Sequence, residues 1–204
     1  TYYYYDANGE LHKGWLNTEN GYYYLNLSTG KMTVGWEKIN NKWYYFQGNG
    51  VMATGWVKDN GKYYYMLTDG TMHTGWVSID GVYYYLGDSG AMATGWVNMD
   101  NGWYYFDPND GKCTVNSARE IKDSWYMFGS DGKMVTGWQQ VDGGYYYFHT
   151  DGRMLTGWLS DGTNSYYMDP ANGRMSTGWK QIENSYYYFN NSGHKLTGWV
   201  QIDG

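Results

Sequence analysis

Nine tryptophans in this chain each follow a glycine: Trp15, Trp36, Trp56, Trp76, Trp96, Trp138, Trp158, Trp179 and Trp199. Seven residues after most of them comes a run of aromatics, such as Trp43-Tyr44-Tyr45 or Tyr63-Tyr64-Tyr65. Four residues before these tryptophans a methionine recurs, at Met32, Met52, Met72, Met92, Met134, Met154 and Met175. Ring faces are electron-rich, and two or three of them meeting in a groove attract a cation by roughly 0.5–2 kcal/mol per ring. A quaternary ammonium suits such a groove, because it has no N–H to satisfy and loses water at lower cost than a compact ammonium. Three rings supply only a few kcal/mol, so one site binds weakly, at about millimolar strength. Repetition makes sense if the ligand is repeated too, since avidity raises affinity by about 10²–10⁴. Methionine is polarizable and packs well on rings, so it either floors such a pocket or fills core.

The elements that position these rings follow from the spacing. The Gly-Trp pairs are separated by 21, 20, 20, 20, 42, 20, 21 and 20 residues. A period near 20 residues marks a repeat architecture with one small supersecondary element per unit. In Gly30 to Gly50, Thr33–Lys38 and Trp43–Phe46 have strand composition, and Asn40-Asn41 between them is a turn signal. Other copies write the turn as Asp59-Asn60-Gly61, Asp80-Gly81, Asp100-Asn101-Gly102 or Asp142-Gly143, residues that reach positive φ cheaply. Each unit is therefore expected to be a β-hairpin with a connecting loop. A lone hairpin is barely stable, so the hairpins must stack into an all-β solenoid. Alternation puts positions one and three of each aromatic run on one face, and two and four on the other. Positions two and four are expected inside, with one and three beside the Gly-Trp tryptophan in the groove. Asn116 to Lys122 is the one stretch expected to leave the pattern.

Composition narrows the function. The 204 residues include 26 Tyr, 12 Trp and 30 Gly, and aliphatic residues are too few for an ordinary core. The net charge is -6 with no Lys/Arg run, which argues against nucleic acid. No apolar stretch approaches membrane-spanning length. The single Cys113 excludes an intrachain disulfide and replaces a packing methionine, so it reads as a buried thiol. His12, His73, His149 and His194 are scattered and read as surface residues rather than metal ligands. Acidic turns such as Thr68-Asp69-Gly70 and Ser130-Asp131-Gly132 lack the density of calcium-binding solenoids. No catalytic constellation stands apart from the repeats, so no enzyme activity, cofactor or metal is expected.

The units Thr54 to Trp76 and Met92 to Lys112 resemble the choline-binding, or cell-wall-binding, repeats of Gram-positive surface proteins of the pneumococcal kind. The resemblance covers essentially the whole chain and rests on the Gly-Trp, the aromatic run and the Gly-x-Met-x-Thr-Gly-Trp closure together. It implies a left-handed solenoid with about three hairpins per turn. It also implies binding of choline on phosphocholine-decorated teichoic and lipoteichoic acids. The ligand would sit in boxes of two aromatics from one repeat and one from the next, with a methionine alongside. Mapped here, the boxes are Trp15/Tyr22/Tyr45, Trp36/Trp43/Tyr65, Trp56/Tyr63/Tyr85, Trp76/Tyr83/Tyr105 and Trp158/Tyr166/Tyr188, with Met52, Met72 and Met92. Weaker sites are expected at Trp96/Trp103 and Trp138/Tyr145, where Met127 and Met168 replace the third ring, and at Trp179/Tyr186. The implied location is extracellular, held non-covalently on the bacterial wall.

One repeat is damaged. Aligned with its neighbours, residues 111–128 replace Met by Cys113, Gly by Asn116 and Trp by Ser117. The expected organisation is one array over residues 1–204, about ten repeats, with both ends cut inside a repeat. Loaded sites are expected in the first half and near Trp158, with a poor middle. Two other functions fit the same residues. One is a glucan- or glycan-binding array. The other is an adhesin or inhibitor with a host protein or a wall hydrolase as protein partner.

Overall fold

The computed structural model describes residues 1–99 and 102–201. No helix occurs among them, and every named strand belongs to a two-stranded antiparallel sheet. The first hairpins are β1 (Gly14–Thr18) with β2 (Gly21–Leu25), β3 (Gly35–Ile39) with β4 (Lys42–Phe46), and β5 (Gly55–Asp59) with β6 (Lys62–Met66). Then come β7 (Gly75–Ile79) with β8 (Val82–Leu86), β9 (Gly95–Met99) with β10 (Gly102–Phe106), and β11 (Ser117–Ile121) with β12 (Ser124–Phe128). The last are β13 (Gly137–Val141) with β14 (Gly144–Phe148), β15 (Gly157–Ser160) with β16 (Ser165–Met168), and β17 (Gly178–Ile182) with β18 (Ser185–Phe189).

The turns form where the sequence places Asn, Asp and Gly. Asn40 and Asn41 have φ of 50° and 64°, and Asn60-Gly61 and Asp80-Gly81 repeat the pattern. Two successive positive φ values match the twist of the flanking strands, which favours short hairpin loops. The turn written Asp100-Asn101-Gly102 lies partly outside the described residues. The glycine of each Gly-Trp also sits at positive φ, 81° at Gly35, and turns the chain into the strand.

Register defines two faces. Trp36 pairs with Tyr45 and Lys38 with Trp43, so Trp36, Trp43 and Tyr45 share a forward face. Gly35 pairs with Phe46 and Glu37 with Tyr44, so Tyr44 and Phe46 share the rear face. The forward face of one hairpin packs on the rear face of the next. Tyr24 stacks on Phe46 at 6.4 Å and is buried with Ile39. Position four is buried at Leu25, Phe46, Met66, Leu86, Phe106, Phe128, Phe148, Met168 and Phe189. Each such side chain contributes roughly 1.5–3 kcal/mol of burial.

Backbone bonds tie the repeats together. The Met52 amide donates to the Tyr22 carbonyl at 2.7 Å, and the Met72 amide to the Trp43 carbonyl at 2.8 Å. The methionine then runs beneath the glycine of the next loop. A Cβ on Gly70 would overlap the Met52 sulfur, and Gly70 also has φ of 81°.

The chain divides into two compact units, Thr1–Gly95 with Phe106–Cys113, and Trp96–Tyr105 with Thr114–Gly204. The hairpin of the damaged repeat lies in the second unit and keeps the strand pairing after all. Ser117–Ile121 forms β11, paired with β12 like any other hairpin. Its register corrects the alignment. Ser117 pairs with Phe128 and so takes the place of the glycine, and Ala118 pairs with Met127 and takes the place of the tryptophan. This repeat carries one residue more than an intact one between its bridge and its strand, and Asn116, at φ of 44°, is that residue. Asparagine enters this left-handed region more easily than other side chains do.

Candidate functional site

Trp15, Trp36, Trp56, Trp76, Trp138, Trp158 and Trp179 each lie directly across the hairpin from position three, and diagonal to position one, whereas Trp199 stands in no strand and is fully exposed. The position-one ring stays exposed, as at Tyr22, Trp43, Tyr63, Tyr83 and Trp103. The third ring comes from the rear face of the following hairpin, and that face carries position two. Trp36 makes edge contacts with Trp43 at 6.4 Å and 87°, and with Tyr64 at 4.8 Å and 68°. Met72 packs in the same cluster with Trp36 and Tyr64. The Trp36 indole N–H donates to Asp59 Oδ2 at 3.2 Å, which fixes the ring's orientation. Trp15 meets Tyr44 at 5.0 Å, and Trp56 meets Tyr84 at 5.0 Å. Met52 packs beside Tyr44, and the Met92 amide donates to the Tyr63 carbonyl at 2.8 Å.

The second unit repeats this geometry. Trp96 meets Trp103 at 6.3 Å and 84°, and Tyr126 at 4.8 Å. These rings and Met134 line a cavity of about 350 Å³, with Thr150 and Asp151 at its edge. Trp138 meets Tyr166 at 5.0 Å, and with Tyr145 and Met175 they line one of about 300 Å³. The near-perpendicular rings surround a small volume rather than forming one flat platform.

The structure corrects the expected third walls. Tyr45 lies 5.0 Å from Trp36, Tyr65 5.1 Å from Trp56, and Tyr85 5.4 Å from Trp76. Tyr105 lies 5.2 Å from Trp96, and Tyr188 5.2 Å from Trp179. All five support the tryptophan of their own hairpin instead of facing the preceding one. The reason is the two-faced stacking: position three points forward, away from the earlier slot. Met127 and Met168 are therefore not missing walls. Tyr126 and Tyr166 fill those places, so the slots of Trp96 and Trp138 have three rings each. Tyr166 was also expected beside Trp158, but Leu159 pairs with Tyr166 and Ser160 with Ser165. Ser165 holds position one there, and Tyr166 belongs to the Trp138 slot. Trp179 and Tyr186 are 65% and 69% exposed, with no third ring from a following hairpin among the described residues.

Met134 and Met175, named by the same spacing but assigned to no box, also stand at slots; their amides bond to Trp103 and Tyr145 as the Met72 amide bonds to Trp43. Cys113 takes the same place behind Tyr83, to whose carbonyl its amide donates at 2.9 Å. Burial pushes its thiol up to about 11, so it is protonated at neutral pH. Lys38 and Lys58 each sit near a slot ring: Lys38 is 5.9 Å from Trp43, and Lys58 is 5.1 Å from Tyr63. Both cover one ring of their own hairpin from its strand partner. In the slot of Tyr44, burial and the nearby Asp69 carboxylate raise the phenol's pKa.

Comparison with known proteins finds the same repeat and the same fold. A choline-binding repeat family model matches residues 33–74, 73–117 and 135–177, and a cell wall binding repeat model matches 177–195. The structure of CbpJ from Streptococcus pneumoniae TIGR4 is similar at TM-score 0.71 and 26% identity, covering 95% of this chain and 90% of that one. Choline binding protein F of Streptococcus pneumoniae is similar at 0.66 and 26%, covering 95% and 89%. The choline-binding domain of CbpL, also from Streptococcus pneumoniae, is similar at 0.63 and 29%, covering 80% and 87%. No match was found among curated proteins. The family models together span more than half of the chain, and the chain belongs to the choline-binding repeat family.

Proposed function

We propose that this chain is a non-catalytic module that grips choline headgroups on phosphocholine-decorated teichoic and lipoteichoic acids, and so holds a surface protein on the cell wall. The observation that carries the reading is the three-ring slot with a methionine beside it, best formed at Trp36/Trp43/Tyr64/Met72 and Trp96/Trp103/Tyr126/Met134. Perpendicular rings surround a trimethylammonium on several sides, and the methionine supplies a polarizable floor. Slots with the same parts stand at Trp15/Tyr22/Tyr44/Met52, Trp56/Tyr63/Tyr84/Met92 and Trp138/Tyr145/Tyr166/Met175. Attachment through them is non-covalent and places the module outside the cell. A net charge of -6 favours a cationic group.

The test is retention on a diethylaminoethyl resin, which mimics choline. Free choline should elute the protein at a concentration where sodium chloride does not, which separates slot binding from ion exchange. Replacing Trp36 and Trp96 together by Ala should lower the choline needed for elution. Unchanged elution in that variant refutes the assignment. Calorimetry against dextran should show no heat; binding there would point to a glycan instead.

A further inference from the structure

One slot departs from all the others. Behind Trp158, position one is Ser165 rather than an aromatic, and the residue in the methionine's place is Lys195. The Lys195 backbone sits as each methionine does, its amide donating to the Ser165 carbonyl at 2.8 Å and its residue bridged to Phe189. The side chain rises into the slot. Its Nζ is 5.5 Å from the Trp158 ring centre and 5.9 Å from that of Tyr187. Trp158 and Tyr187 themselves are 5.1 Å apart at 77°, the geometry of the intact slots. With Ser160, Ser165 and Lys195 they line a cavity of about 450 Å³.

We propose that Lys195 is a built-in cation that occupies this slot and closes it to quaternary ammonium ligands. This rests on the reading of the other slots as choline sites. An ammonium within about 6 Å of two ring faces holds the position a ligand cation would take. A tethered group competes at an effective concentration of about millimolar or more, comparable with the strength of a single slot. A second cation entering would also meet like charge at close range. Loss of the position-one ring removes one third of the aromatic wall and leaves room for the lysine chain. Lys38 and Lys58 differ, because each covers one ring of its own hairpin from the strand partner and leaves the second hairpin's ring free. The slot expected to be loaded near Trp158 is thus the one that the protein itself fills.

Two measurements test this. In NMR spectra of the free protein, ring currents should shift the Lys195 ε-methylene protons upfield of every other lysine, and Trp158→Ala should abolish that shift. Choline titration followed by equilibrium dialysis should then show one more bound ligand per chain in Lys195→Met than in the parent. Crystals soaked in choline should show that ligand between Trp158 and Tyr187 in the variant only. An ordinary Lys195 shift, or choline in this slot of the parent with the lysine swung out, overturns the proposal. An upfield shift with no choline bound anywhere in either protein leaves the self-occupied slot standing and instead refutes the function proposed for the others.

Discussion

At the residue scale, position two is the discriminating ring. Tyr64 should be a ligand wall for the slot of Trp36, whereas Tyr65 supports Trp56. Replacing Tyr64 by Ala should weaken that slot by about one ring's share, roughly tenfold. Replacing Tyr65 by Ala should leave the Trp36 slot unchanged, because Tyr65 packs on Trp56. Titration with choline monitored by tryptophan fluorescence distinguishes the two. Cys113 offers a second check. Its folded pKa, pushed up to about 11 by burial, lies above the ordinary 9.0 of the thiol. The folded state therefore holds this proton more tightly, and the stability it contributes is present below pH 9 and lost as pH climbs toward 11. Native Cys113 should react slowly with iodoacetamide at neutral pH, and at the rate of a free thiol only after denaturation. The tryptophans, position-one rings and flooring methionines were legible from type and spacing. The third wall was not. Alternation along one strand sorts residues into two faces, but which face meets the preceding hairpin depends on the rotation between hairpins, and no single repeat encodes that. Two other misplacements were avoidable. Seven residues after Trp158 comes Ser165, and seven before Trp125 comes Ala118, so the spacing that identified the intact slots also locates the substitutions.

At the element scale, the hairpin and the loop under which its methionine runs are one mechanical piece. Gly70→Ala would place a Cβ at positive φ and on the Met52 sulfur together. Urea denaturation should show a loss of about 1 kcal/mol or more, and Met52→Ala in the same chain should recover part of it, which a double-mutant cycle measures. Gly61→Ala, with nothing near its Cβ, should show only the backbone share. The damaged hairpin makes the complementary point. It folds without its Gly-Trp because Asn116 accepts the left-handed φ and Ile121 and Phe128 still fill the core. Slot and fold thus separate there: the hairpin keeps Trp125 and the Met154 amide bond to its carbonyl, but Ala118 stands where the tryptophan would be. Ala118→Trp should add one choline per chain in equilibrium dialysis.

At the scale of the whole chain, weak slots act by number. Free choline should bind at about millimolar strength, while a polymer bearing many phosphocholines should bind about 10²–10⁴ more tightly. Surface plasmon resonance on the polymer against calorimetry with the free ligand measures the ratio. Each slot draws walls from two consecutive hairpins, so a bound cation resists their separation, and choline at 100 times the dissociation constant should stabilise the folded state by about 2.7 kcal/mol per site. Melting temperature should therefore rise with choline more than with sodium chloride at equal concentration. The front-to-rear stacking of hairpins carries a further consequence for how such chains change over generations. Every hairpin offers the same two surfaces to whatever precedes and follows it. Unequal crossing-over that copies or deletes a block of about twenty residues therefore leaves the surviving junctions intact. On the function proposed above, grip strength would scale with gene length alone, while local changes such as those around Ala118 and around Ser165 and Lys195 alter one slot and leave the stacking of the neighbouring hairpins as it is.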